Sequence, residues 1–221
     1  MSLRVKQAGG AALAALRAGP AKVFASFERS CYVETRGGIA CVGADIGLGP
    51  LNALAESFES LPVGTSVSVE IGEARPWRPA APARMKKIEI EIPQSIRKPA
   101  ESFLLWLCGE GATPDELIGL GPGLTPAGDD FVGGAMIALR AFGRAQLADR
   151  IAAWALPLAK ERTNRISRAH LACAAEGEGH EALHDLLSFH ETEKHLARLA
   201  RIGHTSGLDA AAGAVHALRR R

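Results

Sequence analysis

The stretch CYVETRGGIACV, residues 31–42, predicts a β-hairpin and decides the fold of the first part of the chain. Residues 31–35 and 39–42 are short apolar stretches of strand composition, and the tripeptide RGG at 36–38 is a turn sequence. Two strands joined by so short a turn pair antiparallel. The stretch therefore predicts that the chain begins with an antiparallel sheet.

Other stretches of the first part add to this sheet. Three more have strand length and are bounded by turn residues: residues 22–27, 65–71 and 86–92. Apolar and polar residues alternate in the last two, which predicts a sheet with one buried face. Between these two, residues 74–84 contain three prolines, and proline cannot donate to a strand ladder. We expect a loop or arm there.

After Pro99 the pattern becomes helical. Seven segments have helix-forming composition and length: residues 100–109, 128–142, 145–160, 165–176, 179–189, 192–201 and 206–219. The predicted fold class is α+β, with a small β-rich N-terminal lobe, residues 1–98, followed by a larger helical lobe, residues 99–221.

Composition limits the partners and the compartment. The 221 residues are 47% hydrophobic and carry a formal net charge of +2, which offers no strong field for nucleic acid or anionic lipid. The apolar stretch at 11–18 is too short to span a membrane. The four cysteines form no short metal-ligand or redox pair, so we expect reduced thiols and a cytoplasmic protein.

The most unusual stretch is GLGPGLTPAGDDF, residues 119–131. Its glycines allow close backbone approach, and Thr125 or Gly128 opens a helix whose first N–H groups favour an anion. Asp129 and Asp130 stand in the first turn, where they cap the helix or supply a metal ligand or an acid–base group. The stretch matches neither a Walker P-loop nor a dinucleotide fingerprint.

Part of this pattern returns in GHTSGLD, residues 203–209. The spacing Thr-x-x-x-Asp-x-x-x-Gly relates Thr125, Asp129 and Gly133 to Thr205, Asp209 and Gly213. Two such helices could pack closely through Gly133, Gly134 and Gly213 and direct both N-termini at one ligand. Ordinary capping and a small-residue helix crossing would explain the same likeness.

Two further stretches hold candidate polar residues. In ERTNRIS, residues 161–167, Arg162 could clamp a carboxylate or phosphate. His204 lies in a Gly-bounded loop and suits proton transfer. The sequence HEALH, residues 180–184, satisfies a zinc-protease pattern but lacks its longer continuation. An amphipathic helix is the simpler interpretation of HEALH.

The three blocks GLGPGLTPAGDDF, ERTNRIS and GHTSGLD, in this order, resemble a bacterial family that includes the AllH subunit of oxamate carbamoyltransferase. The resemblance implies a subunit that works with other carbamoyltransferase subunits in anaerobic purine and allantoin breakdown. There, oxalurate and phosphate are interconverted with oxamate and carbamoyl phosphate. Expected partners are therefore a small anionic substrate and those subunits, with self-association left open and no cofactor.

The residues themselves suggest which groups would serve this chemistry. Proton movement is assigned to four candidates: His204, Asp129, Asp130 and Asp209. The candidate substrate-binding residues come from the same three blocks: Gly121, Gly123, Thr125, Gly128, Arg162, Thr163, Asn164, Ser167, Thr205, Ser206 and Gly207. Two alternatives stay open, a non-catalytic binding or assembly subunit and a metal-dependent hydrolase using the Asp residues or His180 and His184.

Overall fold

The computed structural model describes residues 2–82, 88–188 and 191–220. Contacts divide the chain into two compact units, Met1–Pro79 and Ala80–Arg221. The first unit consists mainly of strands and the second of helices, which confirms the predicted α+β class. Within the described ranges, none of the helices has both the length and the apolar character needed to cross a bilayer.

The first unit is a closed six-stranded barrel with one short extra strand. Its strands are β1 (Ser2–Ala8), β2 (Ala21–Ser26), β3 (Ser30–Thr35), β4 (Gly38–Gly43), β5 (Asn52–Ala55), β6 (Ser66–Glu70) and β7 (Arg75–Pro76). The order is β5-β4-β3-β2-β6-β1-β7, and pairing of β1 with β5 closes the barrel. The predicted hairpin is confirmed as β3 and β4, with Thr35 opposite Gly38.

The predicted one-sided antiparallel sheet is wrong in two respects. The sheet is closed, and it is mixed, because β1 runs parallel to β6 and β4 runs parallel to β5. Closure results from the first strand, which the local pattern does not predict and which fills the gap between β6 and β5. Closure leaves no free edge between these two strands.

One helix accompanies the barrel, α1 (Gly10–Arg17), formed by the apolar stretch that is too short for a membrane span. Its residues Leu13 and Leu16 are buried with the barrel core. Gly9 precedes the helix, and a Cβ there would lie 2.1 Å from the Gly49 carbonyl oxygen. Only glycine therefore allows the chain to pass this turn and enter the helix.

The strand predicted at 86–92 is wrong for its described part. Residues 88–92 form no strand. Their apolar side chains pack on the core of the helical unit instead, Ile88 being buried there. The backbone carbonyl groups are paired with the last helix and its end, since the His216 ring lies 2.8 Å from the Ile90 oxygen and Arg219 donates to the Ile88 oxygen.

The second unit holds seven helices within the described ranges. They are α2 (Arg97–Leu107), α3 (Ala127–Ala141), α4 (Ala145–Arg162), α5 (Arg165–Ala175), α6 (Glu181–Ser188), α7 (Thr192–Leu199) and α8 (Ser206–Leu218). All seven predicted helical segments are confirmed, with small shifts of their ends. Two short 3-10 turns, Gln94–Ile96 and Asp115–Leu117, complete the unit.

Helix α3 is the centre of this unit. Most of its residues are buried, and it packs against α4, α5 and α8. Phe131 contacts Phe103 of α2 edge-on, with ring centroids 6.0 Å apart. Because the helix is surrounded on several sides, its small residues determine how closely its neighbours approach.

Candidate functional site

The Gly-rich loop leads from the second 3-10 turn into α3. Gly119, Gly121 and Gly123 have φ angles of 80°, 119° and 98°, in the region that glycine adopts readily. A Cβ on Gly119 would lie 2.1 Å from the Arg162 carbonyl oxygen. The loop therefore depends on glycine for its path and packs directly on the end of α4.

Asp129 holds this loop in place. The Gly119 N–H donates to Asp129 Oδ1 at 2.7 Å, and the Ser167 hydroxyl donates to Asp129 Oδ2 at 2.6 Å. Asp129 is 2% exposed, so both oxygens of a buried carboxyl are used within the protein. These bonds make Asp129 a positioning residue that joins the loop to the first turn of α5.

Asn164 makes a second link to the same loop. Its Oδ1 accepts from the N–H groups of Ile166 and Ser167 at 2.9 and 3.1 Å, which caps α5. Its Nδ2 donates to the Leu124 carbonyl oxygen at 2.8 Å. The ERTNRIS block is therefore built around the Gly-rich loop.

The third block reaches the loop through two hydroxyl groups. Thr125 Oγ1 and Ser206 Oγ lie 2.8 Å apart, within hydrogen-bond distance. Thr125 precedes α3, and Ser206 is the first residue of α8. The N-termini of the two helices therefore meet, as the recurring pattern predicted.

The structure matches the residues of α3 and α8 differently from the predicted spacing. Gly134 and Gly213 are each the eighth residue of their helix. A Cβ on Gly134 would lie 1.9 Å from the Ala210 oxygen, and a Cβ on Gly213 would lie 1.9 Å from the Phe131 oxygen. Gly133, the predicted counterpart of Gly213, faces α5 instead, where an added Cβ would lie 3.5 Å from the Cβ of Ala174.

The contact between α3 and α8 is reciprocal. Phe131 and Ala210 are each the fifth residue of their helix, so the eighth residue of each helix lies on the fifth of the other. A local two-fold axis produces contacts of this kind. Under this relation Asp209, the fourth residue of α8, is equivalent to Asp130, the fourth residue of α3, and not to Asp129.

Gly128 and Gly207 are also equivalent, as the second residue of each helix, but their N–H groups are already used. The Gly128 N–H donates to the Leu120 oxygen at 2.9 Å, and the Gly207 N–H donates to the Ile202 oxygen at 3.3 Å. Gly128 therefore has no free N–H of its own for an anion, and its role in substrate binding stays a prediction. The preceding turn of the chain supplies the acceptor in each case.

Asp130 and Asp209 form the acidic pair at the meeting point. Asp209 is 2% exposed, and the Oδ2 atom of each residue is buried. Burial raises the pKa of Asp130 well above its ordinary value, and the nearby Asp209 and Asp129 raise it further, while the Ser206 and Thr125 hydroxyls oppose this. Burial likewise raises the pKa of Asp209, with the Thr205 hydroxyl opposing it.

The other predicted site residues lie around this centre. Arg162 is exposed, and its Nη1 donates to the Asp115 carbonyl oxygen at 2.7 Å. Thr163 Oγ1 is buried and makes no hydrogen bond within the part of the chain that the structure describes. His204 and Thr205 are exposed in the turn before α8.

Asp115 belongs to this region but is not among the residues predicted from the sequence. Its side chain accepts from Trp154 Nε1 at 2.8 Å, and this hydrogen bond is the main cause that lowers the Asp115 pKa. Its carbonyl group orients Arg162. The sequence TPDE, residues 113–116, carries the signal, since an acidic pair after Thr-Pro is typical of the start of a helical turn.

The HEALH block has a structural role. The His180 Nδ1 accepts from the Ala182 N–H, and the His184 Nε2 accepts from the Gly179 N–H, both at 3.1 Å. Glu181 pairs with Arg198 at 2.9 Å. Across the described ranges, no three His, Cys, Asp or Glu side chains lie together in a way that could hold a metal ion.

These features define a class of protein: an α+β chain whose helical unit joins three sequence blocks around two crossing helices with hydroxyl and carboxyl groups at their N-termini. Residues 117–218 match the family model described as oxamate carbamoyltransferase subunit AllH. The match covers just under half of the chain, contains all three blocks and confirms the predicted resemblance. Neither the curated proteins nor the solved structures included a match to this chain.

Proposed function

We propose that this chain is an AllH-like subunit of a carbamoyltransferase that acts on oxamate or oxalurate and carbamoyl phosphate in purine and allantoin breakdown. The family match over residues 117–218 supports the subunit assignment. The observation that best supports a ligand site in this subunit is the 2.8 Å contact between the Thr125 and Ser206 hydroxyls, which joins two blocks distant in sequence. The proposed compartment is the cytoplasm, and the proposed partners are the other subunits of the enzyme.

The reaction defines what such a site must do. A phosphate oxygen attacks the carbamoyl carbon of oxalurate, the bond from that carbon to the amide nitrogen breaks, and this nitrogen takes up a proton. The products are carbamoyl phosphate and oxamate. Catalysis needs anion binding, a polarised carbonyl group and proton movement, and all three can be supplied by protein side chains and backbone.

The exposed basic edge of the site suits the anionic end of the ligands. Arg162 uses one N–H on the Asp115 carbonyl oxygen, and a guanidinium carries five N–H donors. The remaining donors can face a carboxylate or a phosphate. In this proposal the Gly121–Gly123 turn, Thr125 and the 205–207 turn line the same ligand, and Arg162 neutralises its charge.

The contacts divide the remaining candidates into two groups. Asp129, Asn164 and Ser167 are engaged in hydrogen bonds that build the loop, so we assign them positioning roles. Asp130, Asp209 and the exposed His204 remain as the groups for proton movement.

The direct test is turnover by the purified full chain, alone and together with the proteins that co-purify with it. Oxalurate and phosphate should yield carbamoyl phosphate when the complete assembly is present. Arg162→Ala should lower this rate at least tenfold, while Arg168→Ala, an exposed arginine of α5, should leave it unchanged. Absence of carbamoyl phosphate from the complete assembly would refute the proposed function.

A specific observation favours a second candidate, a non-catalytic binding or assembly subunit. Leu124 and Leu208 belong to the two blocks that meet at the site, and 41% and 37% of their surfaces are exposed. If the two side chains form one apolar patch beside the polar site, that patch offers another molecule a surface to cover. This candidate predicts that the chain binds ligand or partner subunits, and that Arg162→Ala leaves the turnover of the assembly unaltered.

A further inference from the structure

The strongest unexplained feature of the helical unit is the carboxyl pair Asp130 and Asp209. The two residues occupy the fourth position of α3 and of α8, on either side of the local two-fold axis. The Oδ2 atom of each is buried and makes no hydrogen bond within the described part of the chain. Asp209 as a residue is 2% exposed, so its carboxyl group is withdrawn from solvent.

The neighbouring carboxyl group of Asp129 is buried as well, but it is hydrogen-bonded within the protein. Both Asp129 oxygens accept hydrogen bonds, from Gly119 and from Ser167. Buried polar atoms in proteins are nearly always paired, because an unpaired one loses its hydration without compensation. Two equivalent, unpaired carboxyl oxygens at one helix junction therefore indicate a ligand with hydrogen-bond donors.

The surroundings restrict the chemistry of that ligand. A carboxyl oxygen that is withdrawn from water and has no hydrogen-bond partner favours the protonated form of its group, so the pair offers an O–H donor beside its acceptors. A phosphate or carboxylate would be repelled by the remaining negative charge. A cation is disfavoured by the partial positive charges of the two helix N-termini. A neutral group with both N–H donors and a carbonyl acceptor matches the pair best.

We propose that Asp130 and Asp209 together bind the primary amide group of a small acyl amide ligand. One carboxyl oxygen accepts from the amide N–H, and the protonated carboxyl donates to the amide oxygen. The choice of ligand rests on the proposed function, because oxamate and carbamoyl phosphate both carry a –CO–NH₂ group. The anionic end of the ligand is then left to the loop and to Arg162.

Calorimetric titration of the purified full chain with oxamate and with oxalate tests this assignment. Oxalate has the size and planarity of oxamate but replaces the amide by a second carboxylate. We expect oxamate to bind at least tenfold more tightly than oxalate. Asp130→Leu and Asp209→Leu keep a branched side chain but remove the hydrogen-bonding groups, and each should weaken oxamate binding at least tenfold.

Asp149→Leu is the matched control, because Asp149 lies in the same unit on α4 and its side chain is 62% exposed. It should bind oxamate like the wild type. Circular dichroism and thermal melting establish that each variant is folded, and having two independent Asp variants allows the test to proceed if one fails. Equal binding of oxamate and oxalate, no oxamate binding by the wild type, or unchanged binding in a folded Asp variant would overturn the inference.

These results are separable from those on the proposed function. Oxamate selectivity that is lost in the Asp variants supports the amide site even if the assembly forms no carbamoyl phosphate. Formation of carbamoyl phosphate by an assembly whose oxamate affinity ignores both Asp substitutions would retain the proposed function and refute the amide site.

Discussion

Gly134 and Gly213 occupy the same position in two crossing helices, and each lies against a carbonyl oxygen of the other helix. With no side chain at either position, the backbones of α3 and α8 approach closely enough for their N-termini to meet. The contact between Thr125 and Ser206 depends on this approach. The small residues of the crossing and the polar residues of the site thus belong to one arrangement.

Alanine at either glycine should destabilise the protein. In Gly134→Ala and Gly213→Ala the new methyl would lie 1.9 Å from a backbone oxygen, so the helices must separate. We expect a loss of about 1–3 kcal/mol or more in the free energy of unfolding, measured by urea denaturation. Gly133→Ala is the control, since its methyl finds its nearest neighbour at 3.5 Å and gains about 1 kcal/mol of helix propensity. Equal losses at all three positions would contradict the register described for this crossing.

Asp129→Asn should lower stability because it replaces a buried group that only accepts hydrogen bonds by an amide with a donor side. With the amide oxygen kept on the Gly119 N–H, the N–H₂ faces Ser167, whose hydroxyl must turn its proton away and loses the acceptor it now has. Hydrogen bonds to charged groups contribute about 1.5–3 kcal/mol, and we expect a loss of that order in the free energy of unfolding. Asp149→Asn, at a largely exposed carboxylate, should change stability far less. Unchanged stability in Asp129→Asn would show that the hydrogen bond from Ser167 to the second carboxyl oxygen does not stabilise the fold.

The acidic pair should make stability depend on pH. Burial raises the folded-state pKa of Asp130 and of Asp209 above 3.8, so the folded protein holds these protons more tightly than the unfolded chain. The stability that the two protonated groups contribute is therefore fully present below pH 3.8 and is lost as pH rises through the folded-state pKa values. The double variant Asp130→Asn/Asp209→Asn should therefore lose less stability than the wild type as pH rises from about 4 to about 8. Urea unfolding at several pH values measures this difference, and parallel curves for the two proteins would contradict it.

His184 should act in the opposite direction. Burial lowers its pKa from 6.5 to about 4, and its Nε2 accepts from the Gly179 N–H in the neutral form. Its contribution to stability is complete above pH 6.5 and is lost as pH falls through about 4, which amounts to about 3 kcal/mol at that pH. In His184→Gln the share of this loss that comes from His184 should disappear, while the share from His170, whose pKa burial also lowers to about 4, remains. His204→Gln, at an exposed histidine, should retain both shares. Melting temperatures between about pH 4 and pH 7 provide the comparison.

Local sequence determined most of the secondary structure. The turn at 36–38 and the alanine-rich helical segments appear where their composition predicts them, because turn chemistry and helix propensity act over a few residues. The pairing of β1 with β5 and β6 was not predictable in this way, since it joins residues far apart in the chain. Apolar and polar residues alternate in residues 88–92 as they do in a strand, yet this segment lies on the core of the helical unit. Its apolar side chains can be buried by any apolar surface, whether a sheet or a group of helices provides it.

The candidate site divides in the same manner. The three blocks, their glycines and their acidic residues are visible in the sequence, and the resemblance that they carry is confirmed over residues 117–218. Spacing alone paired Asp209 with Asp129, because both follow a threonine by four residues. Only the tertiary structure showed Asp130 to be its partner, because the helices start at Ala127 and Ser206 and pack through Gly134 and Gly213. Which carboxyl group is satisfied and which is left for a ligand depends on the atoms around it, and residues distant in the chain supply those atoms.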